Sequence, residues 1–154
     1  MSALEVKVSA GSSARDFDFI VGNWSIHNRK LKLRLCGCTE WREFDFESKT
    51  RMVLSGFGNL DESGNTLRLF DPDTRLWSIL GAFPGMTSID VLKGSFDGLI
   101  GTFIGRDIHD GQPVLCQFQW DKSDENAPIW RQALSTDQGE TWEWNWEMRF
   151  TRIS

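Results

Sequence analysis

The sequence predicts an all-β domain, an antiparallel up-and-down meander of about ten strands closed into a small barrel. Three observations predict it. Turn signals recur every eight to twelve residues. The segments between them are short, rich in β-branched and aromatic residues, and in several cases alternate with period two. No stretch carries a long amphipathic helix, and consecutive hairpins without a long crossover favour a meander over a Greek key.

With 154 residues the chain has the length of one domain, and such a chain buries roughly two-thirds of its unfolded surface in a single core. We expect residues 1–14, rich in Ser, Ala and Gly, to form a loosely held arm, and residues 15–154 to form the barrel. The apolar and charged fractions, 40% and 25%, are ordinary, but eight Trp and eleven Phe with no Tyr are not, so aromatic area dominates the core. A net charge of −5 and a pI near 5.0 give no global attraction for nucleic acid or for an anionic membrane. No window approaches the ~18 apolar residues of a membrane helix, and the N-terminus lacks a signal-peptide core, so the expected compartment is cytoplasmic. Cys36, Cys38 and Cys116 are an odd set with the wrong spacing for a redox pair or zinc knuckle; free, reduced thiols are expected.

Taken along the chain, Asp16 to Val21 reads as a helical turn that plugs one end of the barrel, and Gly22-Asn23-Trp24-Ser25-Ile26 opens the first long strand. Arg29 to Leu35 is a Lys/Leu alternation that fits an extended strand. Turns are expected at Cys36-Gly37-Cys38-Thr39, Glu47-Ser48-Lys49, Asp61 to Asn65 and Asp71-Pro72-Asp73-Thr74. Pro84-Gly85, Asp97-Gly98, Asp110-Gly111, Asp121 to Pro128 and Asp137 to Glu140 follow. Gly, Asn and Asp supply the positive φ that tight hairpins need, and Pro presets a corner. In the last strand Trp142, Trp144, Trp146, Met148 and Phe150 fall on one face, and Glu143, Asn145, Glu147, Arg149 and Thr151 on the other. A one-residue slip exchanges the two sets, so a firm register is expected. An open sheet of ten strands leaves two exposed edges, which closure removes.

Two motifs carry further information. Ser135-Thr136-Asp137-Gln138-Gly139-Glu140-Thr141-Trp142 matches the Asp-box pattern Ser-x-Asp-x-Gly-x-Thr-Trp; a single copy reads as a folding device for one hairpin. Gly22-x-Trp24 with Arg149 and Arg152 resembles the lipocalin arrangement of a Trp at the barrel floor stacked by an Arg of the closing strand. Arg152 shares parity with the Trp row and is the better partner. Across residues 16–152, the blocks Phe17 to Trp24, Arg29 to Arg34, Trp41 to Phe44, Gly58 to Glu62, Leu67 to Pro72, Trp130 to Ala133 and Trp142 to Arg152 resemble an uncharacterised bacterial family of lipocalin-like, calycin-type domains. That resemblance implies the fold and transfers no catalytic residue.

With only His27 and His109 and no acidic or Cys cluster, no metal site is expected; haem ligation by His27 is the remote exception. No Gly-rich phosphate loop or Gly-x-Ser-x-Gly elbow is present, so no cofactor is expected. The face turned inward decides the rest. With the Trp row inside, Trp24, Phe103, Phe118, Trp120, Trp142, Trp144 and Trp146 wall an apolar cavity in which Arg68 or Gln132 fixes the polar end of a small hydrophobic or amphipathic guest. With the polar row inside, His27 acts as acid or base, Glu143 orients it and Arg29 or Arg68 stabilises developing negative charge, as a cofactor-free isomerase or cyclase of a specialised metabolite requires. An outward aromatic row then predicts a homodimer. Gly-x-Trp favours the first arrangement; a ligand-free interaction domain is the third reading.

Overall fold

A computed structural model of the chain describes residues 6–62, 66–82 and 91–154. Ten strands run in order: β1 Gly22–Leu31, β2 Trp41–Val53, β3 Gly58–Asp61, β4 Thr66–Phe70, β5 Trp77–Gly81, β6 Val91–Asp97, β7 Ile100–His109, β8 Gln112–Asp121, β9 Ile129–Ser135 and β10 Glu143–Arg152. Each pairs antiparallel with the next, and β1 pairs with β10, so the meander closes into a barrel without a free edge. Among the described residues no helix is long and apolar enough to cross a membrane.

The turn chemistry explains most of the hairpins. Asp110 and Gly111 both take positive φ, 49° and 76°, between β7 and β8, as a tight two-residue loop matched to strand twist requires. Three segments differ from expectation. Glu47-Ser48-Lys49 is not a turn; it lies inside the 13-residue β2, where Ser48 points inward and its hydroxyl donates to the Asp61 carboxylate. The chain reverses instead at Leu54–Gly56, where three consecutive residues have positive φ. The strand expected through Leu35 stops at Leu31, because Leu35 itself turns left-handed (φ 61°) within the β1–β2 loop. Pro84-Gly85 lies outside the described residues. Residues 9 to 12 of the expected loose arm are tied down: Ser9 bonds Ser95 and the Phe96 carbonyl, and Ser12 bonds the Arg75 carbonyl.

One end of the barrel is stoppered by the turn Asp18–Ile20 and the residue before it. Phe17 and Phe19 alternate with charged residues, so one turn delivers both rings to the core. Phe17 sits among Trp77, Phe96 and Trp120 in edge-to-face contacts, with centroids 4.9, 5.0 and 6.1 Å away. Trp24 is fully buried against this plug and donates its indole N–H to the Ile20 carbonyl at 2.8 Å. Arg152, its registered partner on β10, lies 4.2 Å from the Trp24 ring and donates to the Val21 and Phe19 carbonyls at 2.9 and 2.7 Å. One guanidinium thus joins the first strand, the last strand and the plug. Gly22 is needed for this: its φ is +136°, and a Cβ there would meet Arg152 Nη1 at 2.7 Å.

At the other end, the β9–β10 hairpin is organised by Asp137. Its carboxylate accepts from the Ser135 hydroxyl at 2.8 Å, from the Thr141 amide at 2.9 Å and from the Thr141 hydroxyl, while the Gly139 amide donates to Ser135 Oγ at 2.8 Å. These bonds, Thr141 foremost, hold its pKa down at about 2. The register of β10 is not continuous, however. Trp144 pairs with Ala133 and Trp146 with Gln132, leaving Asn145 as a bulge residue. Beyond the bulge Trp146, Met148 and Phe150 point inward; before it the parity is reversed, so Asn145 is fully buried and Trp144 is 40% exposed.

Two measurements check this account. Gly22→Ala and Arg152→Met should each lower the unfolding free energy from urea titration by about 1–3 kcal/mol, with the double variant losing less than the sum because both act on one stack; strict additivity would mean the residues act independently. Asp137→Asn should be destabilised at neutral pH, and its gap from the parent should close as pH falls from 3.8 toward about 2, because a depressed carboxylate pKa stabilises the fold above that window and loses its effect through it.

Candidate functional site

Above the plug the barrel is not filled. A cavity of about 480 Å³ remains, bounded by residues of eight strands. Its walls follow from alternation: Ile26 on β1, Phe44 and Phe46 on β2, Ile79 on β5, Phe118 and Trp120 on β8, Trp130 on β9, and Trp146, Met148 and Phe150 on β10. The rings brace one another, Trp130 meeting Phe118 edge-on at 4.9 Å and Trp146 at 5.2 Å. Such contacts fix the wall geometry and keep the lining from collapsing inward.

A few polar side chains enter this apolar space. Arg68 on β4 is only 4% exposed and lines the cavity, its guanidinium 5.4 Å from the plug ring of Phe17 and 5.5 Å from Trp120. Nη1 donates to Asn59 Oδ1 at 2.8 Å, whereas Nε, among the described residues, has no hydrogen-bond partner. Burial pushes the Arg68 pKa down to about 10, opposed by the field of Asp61. Gln132 on β9, the strand opposite β4 in the ring of ten, donates to Asn145 Oδ1 at 3.0 Å. The bulge therefore serves the site by turning a polar residue inward to hold Gln132.

The mouth lies where β1 ends and β10 begins. Lys30 sits 4.0 Å from the Trp146 ring, whose N–H donates to Asn28 Oδ1 at 2.9 Å. Burial, then the charges of Arg34 and Arg42, lower the Lys30 pKa. Across the rim the Glu143 carboxylate accepts the Leu35 amide at 2.9 and 3.1 Å, fastening the β1–β2 loop to β10.

Of the residues anticipated as ligand-binding, Arg68, Phe118, Trp120, Gln132 and Trp146 line the cavity together. Trp24 and Phe103 are fully buried in the packed floor instead. Trp142 precedes β10 and Trp144 faces outward across the bulge. The acid–base group His27, Glu143 and Arg29 is not brought together. His27 lies on the outer face opposite Arg149, with Nδ1 2.6 Å from Asp45 and Nε2 3.1 Å from Glu43. Arg29, also outside, stacks 3.9 Å from Trp41, and Glu143 is engaged with Leu35. The physical reason is parity: His27 and Arg29 alternate with Trp24, Ile26 and Asn28, so a first strand that buries Trp24 must expose them. Lining residues not anticipated include Ile26, Lys30, Phe44, Phe46 and Trp130 and the acids Glu47 and Asp61; the same parity rule, applied to Trp24 and Gln132, identifies Ile26, Lys30 and Trp130. Phe44 and Phe46 share parity with the buried Ser48 and Thr50, which an assumed turn at Glu47 to Lys49 concealed.

The Glu43 and Asp45 hydrogen bonds raise the His27 pKa above its ordinary 6.5. By NMR, the His27 ring should titrate with a midpoint above 6.5 that falls when Glu43 and Asp45 are replaced by Gln and Asn, and stays put in Glu143→Gln. A response to Glu143 alone would restore the expected pairing.

Compared with protein-family descriptions and with curated proteins, the chain matches none.

Proposed function

We propose that the barrel binds a small hydrophobic or amphipathic molecule in its aromatic cavity. The observation that carries this reading is the open volume of about 480 Å³ walled by Phe44, Phe46, Phe118, Trp130 and Trp146, well inside the range of about 300–1,000 Å³ typical of small-molecule sites. Aromatic walls bury large area with few rotamers to freeze, so a guest gains contact at low entropic cost. The plug supports the reading too: Phe17 fills the floor with the chain's own side chains, and the space above it stays unfilled although Phe and Trp are plentiful. The ten-strand meander with its Trp24–Arg152 stack is compatible with a lipocalin-like barrel, an architecture suited to enclosing one small ligand.

The test is a titration with N-phenylnaphthylamine, a neutral dye that fluoresces in apolar surroundings. A saturable rise in emission is expected, lost in Met148→Trp, where a larger ring occupies the cavity, and retained in Trp144→Ala on the outer face. A flat titration of the parent protein, or full retention in Met148→Trp, would remove the cavity as the binding site.

A further inference from the structure

Resting on the cavity reading, the chemical class of the guest follows from the charges that meet it. We propose that the guest is an amphipathic monoanion, its carboxylate paired with Arg68 deep in the barrel and its apolar body lying between the cavity rings toward the mouth.

The first observation is Arg68 itself. A guanidinium is a rigid fork of five N–H donors that stays charged and matches a carboxylate in two-point geometry. In this protein that fork is 4% exposed, borders the cavity and rests between aromatic rings, yet among the described residues its hydrogen bond goes to the neutral Asn59 and its Nε has no partner. A buried cation left with unused donors is costly, and native proteins keep such groups where something else completes them. Asp61 lies near enough to favour the charge, but it already accepts the Ser48 hydroxyl. An incoming carboxylate supplies the acceptors that the protein around Arg68 supplies only in part.

The second observation is at the opposite end of the cavity. Although the chain carries a net charge of −5, the rim sets Lys30 directly opposite Arg42 on β2, and burial first, then the charges of Arg34 and Arg42, depress the Lys30 ammonium. Lys30 borders the cavity directly, while nearby Lys32 is neutralised by Glu40 at 3.1 Å. A cationic entrance on an acidic protein attracts anions and repels cations before contact. Asp61 and Glu47 also border the cavity, Asp61 being bonded to Ser48; entrance and floor each add a cation, and the apolar wall between them selects an apolar body.

The experiment is displacement of bound N-phenylnaphthylamine by decanoate, decanol and decylamine, which share one chain length and differ in head-group charge. Decanoate should displace the dye at a concentration about tenfold or more below decanol, with decylamine weakest. Arg68→Met should reduce the preference for decanoate over decanol, measured as the ratio of their displacement midpoints, by roughly 30-fold or more. If Arg68→Met fails to fold, the double variant Asp61→Asn/Arg68→Met, which removes both buried charges, carries the same expectation. Equal displacement by decanoate and decanol in the parent protein, or a preference for decanoate that survives loss of Arg68, overturns the anion assignment while leaving an apolar cavity in place. Failure of the dye to bind the parent protein overturns the cavity reading and this inference with it.

Discussion

The seating of Phe17 at the closed end of the barrel is the constraint from which the rest of the structure follows. A ring of ten strands is too wide for its own wall residues to meet everywhere at the axis, and the chain resolves this by folding its N-terminal segment under the strands. Phe17, Phe19 and Ile20 then complete a floor of interlocked rings with Trp77, Phe96, Phe103 and Trp120. The floor is held in register by Arg152, whose donors reach both carbonyls of the plug turn while its plane covers Trp24. Closure of the sheet, between β1 and β10, and closure of the base are therefore one event at one guanidinium.

Because the plug fills only the lower half, the upper half is left as a space with an aromatic wall and a few charged side chains, Lys30 and Arg68 with Glu47 and Asp61. Arg68 reaches inward just above Phe17, so the same ring that completes the floor also desolvates the guanidinium from below. The bulge at Asn145 works at the same level from the other side: it reverses the parity of β10 so that Asn145 holds Gln132 and Glu143 fastens the β1–β2 loop. The polar character of the cavity is thus concentrated in a few positions that local geometry places there, against a background that is otherwise ring and methylene.

How much of this was legible in the sequence depends on whether a rule was local or cooperative. Turn residues with a backbone requirement, Asp110-Gly111 above all, marked hairpins correctly, since positive φ is a property of two residues. The Trp24–Arg152 stack was legible because parity on two strands suffices to place it. Glu47-Ser48-Lys49 misled because polar composition alone does not impose a turn, and a long strand accepts Ser48 when Asp61 can accept the hydrogen bond of its hydroxyl. The bulge was invisible: Trp142 to Phe150 alternates without interruption, and only the pairing of Gln132 with Trp146 shows that one residue is extra. That single residue decides why Trp144 lies outside and Glu143 at the rim. His27 illustrates the reverse case, for the parity that buried Trp24 already placed the imidazole outside, beside Glu43 and Asp45 of β2 rather than beside β10.

The central claim is that an open, aromatic-walled space persists above the plug, and a crystal of the protein pressurised with xenon tests it most directly, since the gas enters apolar pockets that no side chain fills. The account predicts a xenon peak among Phe46, Phe118 and Trp130 with the surrounding rings in place. Rings closed over one another with no xenon between them would contradict it.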